Sequence, residues 1–259
     1  MISLNKKIIA FDLDGTLAES KQHLEPYMSD LLCELAKHKT VVIITGGSFE
    51  QFQKQFLPFF NPSVNDVDII MNNLILLPTS GSRRYEYDSF KKDWIMTDLE
   101  EFPINIKTKV LEELKKIVSS HQYGIGAIIE GDNVVEDRVT QITLSALGQH
   151  APIEIKKLWD SNQEKRQQIK RDLEKKLPEV SIIIGGTTSI DILPYGFNKA
   201  KGLIRLLTKL DMTIDDMIFV GDAIFPGGND YSAYEAGIES IKVSGPEETA
   251  QVIKKLIMK

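Results

Sequence analysis

Ile8-Ile9-Ala10-Phe11-Asp12-Leu13-Asp14-Gly15-Thr16-Leu17 sets an apolar run directly against two carboxylates, a glycine and a threonine. The apolar run predicts a central strand over 7–12. Two acids at its carboxyl end stand where open α/β sheets bind their ligands. Like charges this close repel, and a metal ion is the simplest reason for them to coexist. Taken alone, the stretch reads equally as a strand followed by an acidic turn, with Asp14-Gly15 as turn residues.

Working outward, two more apolar runs end in the same manner. Val41-Val42-Ile43-Ile44 leads into Thr45-Gly46-Gly47-Ser48, and Met217-Ile218-Phe219-Val220 leads into Gly221-Asp222. Phe225-Pro226-Gly227-Gly228-Asn229-Asp230 follows the second run, and Pro194-Tyr195-Gly196-Phe197-Asn198-Lys199 precedes it. Helices are expected over 25–38 and 48–57, with Pro26 in a first turn and Ser48 at an N-cap. Further strands are expected over 40–45 and 67–71. Strands alternating with helices imply parallel βαβ units and a doubly wound α/β sheet.

After Asn72-Asn73 the pattern changes. Segments 74–77 and 83–87 read as a hairpin around Pro78-Thr79-Ser80-Gly81-Ser82. A helix is expected within 100–119 and a charged one over 161–176, with strands at 124–130, 138–145 and 180–185. Two helices with non-alternating strands predict an inserted α+β domain. The βα pattern then resumes: helix 199–210, strand 217–220, a helix start at 229–236, strand 240–243 and helix 247–258. The expected organisation is therefore a discontinuous core, 1–87 with 194–259, and an insert over 88–193.

The 259 residues suffice for one large or two modest domains. A 42 % hydrophobic, 26 % charged composition is that of a globular protein with a sizeable core. A net charge of −6 argues against a general nucleic-acid binder. No stretch has the length of a membrane span, and the cytoplasm is the expected location. Cys33, the single cysteine, excludes an intrachain disulfide and sits in an apolar helical pattern that predicts core packing. His23, His38, His121 and His150 lack paired ligand spacing, so no zinc site is expected.

Together, in this order, the four clusters resemble the motifs of the haloacid dehalogenase-like phosphohydrolase superfamily. The resemblance implies a Rossmann-like doubly wound sheet with an α+β cap of type C2B. It implies an aspartyl-phosphate mechanism, with Asp12 as nucleophile and Asp14 as general acid and then base. Mg²⁺ is the implied cofactor, held by Asp12, the Asp14 backbone carbonyl and Asp222, with Asn229 and Asp230 supporting its waters or orienting Lys199. By themselves Asn229-Asp230 also read as a helix N-cap beside a glycine turn. Thr45 and the Gly46-Gly47 amides would hold phosphoryl oxygens. Lys199, in a Pro-x-Gly-x-x-Lys spacing, would neutralise nucleophile and phosphate.

The insert position resembles the type IIB subfamily, and within it 46–50, 183–199 and 221–230 look most like eukaryotic-type phosphomannomutases. Arg138 matches a cap arginine of that pattern, and Ser189 and Asp191 match cap positions that contact substrate. Ser189 and Asp191 also read simply as alternating polar residues on a strand. Two further cap arginines fall on Gln149 and Lys156 here, which lack the bidentate fork that grips a second phosphate. The expected function is therefore a Mg²⁺-dependent phosphohydrolase of a sugar phosphate or similar small phosphomonoester. Phosphomannomutase is the alternative, and a non-catalytic sugar-phosphate sensor a third reading. Related mutases dimerise through their caps, so a cap-mediated homodimer is one expectation.

Overall fold

The computed structural model of the protein describes residues 5–257. Its strands are β1 (Ile8–Asp12), β2 (Thr40–Ile44), β3 (Leu74–Leu77), β4 (Arg83–Asp88), β5 (Asp93–Leu99), β6 (Val135–Asp137), β7 (Ile142–Ser145), β8 (Val180–Gly185), β9 (Ser189–Pro194), β10 (Met217–Gly221) and β11 (Glu239–Lys242). Its α-helices are α1 (Pro26–Ala36), α2 (Phe49–Gln51), α3 (Val67–Asn72), α4 (Ile104–Ser119), α5 (Ile153–Trp159), α6 (Glu164–Lys176), α7 (Lys199–Lys209), α8 (Tyr231–Glu235) and α9 (Pro246–Ile257). Helix α2 continues through a wide π turn (Phe52–Phe56) and a tight 3-10 turn (Leu57–Phe59).

Two compact units divide the chain, one running to Leu99 and resuming at Lys199, the other spanning Glu100–Asn198. The first holds a 7-stranded sheet in the order β11-β10-β1-β2-β3-β4-β5. β11, β10, β1, β2 and β3 are parallel, while β4 and β5 add an antiparallel edge. Because side chains alternate across a strand, β1 feeds two cores. Ile9 and Phe11 pack with α1 and α9 residues such as Leu32 and Ile253, and with Phe52 and Phe56. Ile8 and Ala10 pack with Leu203 and Leu206 of α7 and Ala233 of α8. Both faces are thus covered, as a doubly wound parallel sheet requires.

The first unit runs past the expected residue 87 because β5 pairs along β4 from Asp93 to Leu99, and it resumes at Lys199, after β9 has run to Pro194 in the second sheet. Residues 67–71 are helical rather than a strand, with Ile70 buried and Ile69 exposed. The third parallel strand is 74–77, which also forms the first arm of the hairpin with β4. A short apolar run is ambiguous between strand and helix, and here Asp68 falls in the first turn of the helix, where an acid is favourable.

The second unit is a 4-stranded antiparallel sheet, β6-β7-β9-β8, with α4 and α6 on one face. Ile142, Leu144, Ile190 and Ile192 point into that core with Val110, Leu114, Ile169 and Leu173. Their neighbours Thr143, Ser145, Ser189 and Asp191 therefore share the opposite face. Of the expected strand 138–145 only 142–145 (β7) is a strand; 138–141 turns the chain back from β6, with the Arg138 N–H bonded to the Gln141 carbonyl and Val139 at a positive φ. Residues 124–130 form no strand; Ile125 is buried, but Ile128 and Ile129 are exposed, so the run lacks a strand's alternation. The buried Arg166 guanidinium donates to Asp160 Oδ2 at 2.8 Å and to the Gly186 carbonyl, tying α6 to the β8–β9 turn. Its pairing answers the cost of burying a charge.

Candidate active site

The carboxyl ends of three adjacent parallel strands supply the site. Asp12 ends β1, Thr45 follows β2 and Asp222 follows β10. Their apolar runs are buried in the sheet, so each polar residue emerges where the pairing stops. Lys199 opens α7, whose approach depends on glycine. A Cβ on Gly202 would lie 2.8 Å from Gly81 Cα, and Gly81 itself has φ +82°.

Lys199 is the hinge of the charge arrangement. Its Nζ donates to Asp12 Oδ1 at 2.5 Å and to Asp230 Oδ1 at 2.6 Å, with all three residues buried. Asp230 Oδ2 in turn accepts from the Ala223 amide at 3.1 Å, which fixes its orientation. Asp222 Oδ1 lies 3.4 Å from the Thr16 hydroxyl, and its carboxylate packs on Gly15, where a Cβ would come within 2.7 Å of Oδ2. Burial pushes the Asp12 carboxyl well above the usual carboxylate range, with Lys199 opposing and Asp230 and Asp222 adding to the rise. Burial, then the charge of Asp230, also raises Asp222. For Lys199 burial works against the charge, yet Asp12 and Asp230 outweigh it and raise its pKa.

Asp12, Asp222 and Asp230 each offer a carboxylate oxygen within 4.8 Å of the others. Once ionised, three carboxylates against one ammonium carry an excess of negative charge, and burial, then this same crowding of carboxylates, raises Asp12 and Asp222 when no metal ion is bound. Hard oxygen donors carrying that excess suit a divalent cation. The residues present therefore fit a metal ion.

The Asp14 carboxylate faces elsewhere. Oδ2 accepts from Gln51 Nε2 at 2.6 Å; Oδ1 accepts from Gln55 Nε2 at 3.1 Å and from the Lys21 amide at 2.7 Å. Thr45 Oγ1 accepts from the Gly47 amide at 3.1 Å, and the Ser80 amide donates to the Thr45 carbonyl at 2.8 Å. Gly46 and Gly47 form the turn into α2, and Gln51 lies over Gly47, leaving no room for a Cβ there. Ser48 occupies the N-cap position of α2 without a side-chain bond to it. Asn229 is half-buried in the turn just before Asp230. Cys33 is buried and its thiol is pushed up to about 11, which leaves it inert at neutral pH.

Residues 9–233 match the family model of haloacid dehalogenase-like hydrolases. The chain belongs to that family. Relatives similar to it include a probable phosphomannomutase of Caenorhabditis elegans, 27 % identical over 98 % of this chain and 96 % of the relative. The phosphomannomutase of Encephalitozoon cuniculi is 25 % identical over 98 % of this chain and 94 % of its own. Among solved structures, IMP-bound IMP-nucleotidase of Plasmodium falciparum superposes with a TM-score of 0.72 at 17 % identity, over 98 % of this chain and 69 % of that one. A haloacid dehalogenase-like hydrolase of Bacteroides thetaiotaomicron superposes at 0.60, with 16 % identity, over 97 % and 99 %. The last two are likenesses of fold.

Of the insert residues singled out in the sequence, Ser189 and Asp191 lie on the polar face of the sheet, Arg138 and Gln149 are in loops bonded to Glu136 of β6, and Lys156 is on α5. Arg138 donates from Nε and Nη2 to Glu136 Oε2, at 2.9 and 2.7 Å. Gln149 Nε2 donates to the same oxygen at 3.1 Å and to Ser145 Oγ at 2.8 Å. Ser145 and Ser189 face each other across β7 and β9 at 3.3 Å, and Thr143 donates to Asp191 at 2.7 Å. Lys156, buried, donates to the Gln149 carbonyl at 2.6 Å. Glu136, Thr16, Gln51 and Gln55 were not apparent as site residues in the sequence. Only the i, i+4 spacing of the two glutamines on an expected helix could have flagged them.

Proposed function

We propose that the protein is a Mg²⁺-dependent phosphatase of sugar phosphates or similar small phosphomonoesters, working through a phosphoryl group on Asp12. The observation that carries this reading is the buried Lys199 ammonium shared between Asp12 and Asp230 beside Asp222. A nucleophilic carboxylate needs its charge held in place but not removed, and Lys199 does this at one oxygen while leaving the other. Asp12, the Asp14 backbone carbonyl and Asp222 would hold the ion, with Asn229 and Asp230 in support. Bound Mg²⁺ supplies charge that offsets the repulsion between a phosphate dianion and a carboxylate.

In the first step an Asp12 carboxylate oxygen bonds phosphorus as the bond to the ester oxygen breaks. That oxygen leaves with a proton from Asp14. In the second step Asp14 takes a proton from water, the water oxygen bonds phosphorus, and the bond to Asp12 breaks to give inorganic phosphate. Thr45 and the Gly46-Gly47 amides bind phosphoryl oxygens throughout. Arg138, Ser189 and Asp191 read the rest of the substrate.

Phosphomannomutase is the second reading, favoured by relatives of that name matching nearly the whole chain. A mutase must grip a second phosphate. On the insert Gln149 is uncharged and Lys156 donates to a backbone carbonyl, so neither offers the bidentate fork that would grip a second phosphate, which supports hydrolysis over transfer. The test is phosphate release with Mg²⁺ from hexose 1- and 6-phosphates, run beside mannose 1-phosphate to 6-phosphate interconversion with a bisphosphate activator. Dominant release supports the phosphatase, and dominant interconversion overturns it.

A further inference from the structure

We propose that Gln51, assisted by Gln55, is a positioning residue for Asp14 and sets its carboxylate for proton transfer to the leaving group. This rests on the acid–base reading of Asp14. The two glutamines lie one turn apart on one helix and grip one carboxylate, one oxygen each, at 2.6 and 3.1 Å. They also hold each other, Gln51 Nε2 donating to Gln55 Oε1 at 2.7 Å, so both protons of the Gln51 amide are committed. Gln55 is itself buried, and its backbone carbonyl accepts from the Leu24 amide at 3.0 Å, tying the loop after β1 to the helix a second time.

The other end of the Gln51 amide turns to the phosphoryl side. Its Oε1 lies 3.5 Å from the Thr45 hydroxyl and covers Gly47. One side chain therefore spans the loop assigned to phosphoryl oxygens and the carboxyl assigned to the leaving oxygen. A carboxyl that must give and retake a proton is efficient only when its rotamer is fixed in reach of the reacting oxygen, and misplacement by about 1 Å can cost about a hundredfold. The wide π turn at Phe52–Phe56 starts directly after Gln51 and contains Gln55. Such turns often sit at functional sites because they re-aim side chains.

The alternative is a staple: Asp14 would merely hold the Lys21 amide and the glutamines would merely pack. Leaving-group dependence separates the two. Phenol is a poor leaving group that needs a proton, whereas p-nitrophenol leaves readily without one. In single-turnover assays on phenyl phosphate, Gln51→Met should slow phenol release about tenfold or more, with KM little changed. On p-nitrophenyl phosphate the same variant should lose several-fold less than on phenyl phosphate, the shared loss reporting its contact with Thr45 and the excess its hold on Asp14. Gln51→Glu, which sets a second carboxylate against Asp14, should be slower still on phenyl phosphate. In an Asp14→Ala background Gln51→Met should cost nothing further, because the residue acts through Asp14. Equal losses on both substrates, equal losses in both backgrounds, or no loss while Asp14→Ala is slow would each overturn the role of Gln51. Undiminished phenol release by Asp14→Ala would instead remove the acid–base reading on which the role stands.

Discussion

Lys199 Nζ sits 2.5 Å from Asp12 Oδ1, a bond between residues 187 apart in the chain. The contact exists because β1 lies beside β10 at the sheet centre while α7 packs its Leu203 and Leu206 on one face. Sheet topology thus carries a nucleophile and a counter-charge from opposite ends of the sequence to one buried point. Asp230 completes the point by accepting from the same ammonium.

Replacing Lys199 with Met removes the cation from two buried carboxylates. Loss of one partner of a buried ion pair costs about 3 kcal/mol or more, because the remaining charge is stranded. Turnover should vanish and the denaturation midpoint should fall. Added Mg²⁺ should recover part of the midpoint without recovering turnover. Urea titration with and without the ion measures both effects.

Asp12 has a folded-state pKa above its unfolded one, through burial first. The folded state therefore binds that proton more tightly than the unfolded chain. The stability it contributes is full below the unfolded pKa, near 3.8, and is lost as pH rises through the folded value. Metal-free protein should lose stability over this range relative to Asp12→Asn, whose side chain does not ionise. The gap between the two should widen with rising pH and narrow when Mg²⁺ is added. Thermal melts across a pH series, with chelator and then with the ion, test the sign.

Gly15→Ala meets two obstacles. The position has φ +83°, and a Cβ there comes within 2.7 Å of Asp222 Oδ2. Strain alone should cost about 1 kcal/mol or more. Displacement of Asp222 should raise the Mg²⁺ concentration needed for half-maximal activity. A stability loss with an unchanged Mg²⁺ requirement would separate the backbone effect from the carboxylate.

Arg138→Ala removes a guanidinium held by Glu136 on the polar face of the insert. On the proposed substrate-reading role, kcat/KM for a hexose phosphate should fall about tenfold or more, the loss of one charged hydrogen bond. A small aryl phosphate should be nearly unaffected. Equal losses on both would assign Arg138 to structure.

Much of this was legible in sequence because the apolar runs ending at Asp12, Thr45 and Asp222 are buried strands, and burial leaves a plain mark. Lys199 was singled out through the family resemblance that its Pro-x-Gly-x-x-Lys stretch carries, and its bond to Asp12 is a finding of the fold. Asp230 was expected, with Asn229, to support a metal's waters or to orient Lys199, and its bond to that ammonium is a finding of the fold. The grip of Gln51 and Gln55 on Asp14 was not legible, since neutral amides on a helix carry no signal until the loop opposite is known. Segment 67–71 misled because four apolar residues fit either period, and only the position of Leu74–Leu77 in the sheet decides between them. In the insert, the strands were blurred by the turn at 138–141, where Val139 adopts a conformation that β-branched residues seldom take.

The most direct test is to quench the protein with acid during turnover of a sugar phosphate in Mg²⁺ and map the phosphoryl group by peptide mass. The expected result is one phosphoryl group on the peptide that carries Asp12, absent in Asp12→Asn, and discharged to inorganic phosphate when the parent is left to run. Phosphate release at the parental rate by Asp12→Asn, or a phosphoryl group on any other residue, would contradict the assignment of Asp12 as nucleophile.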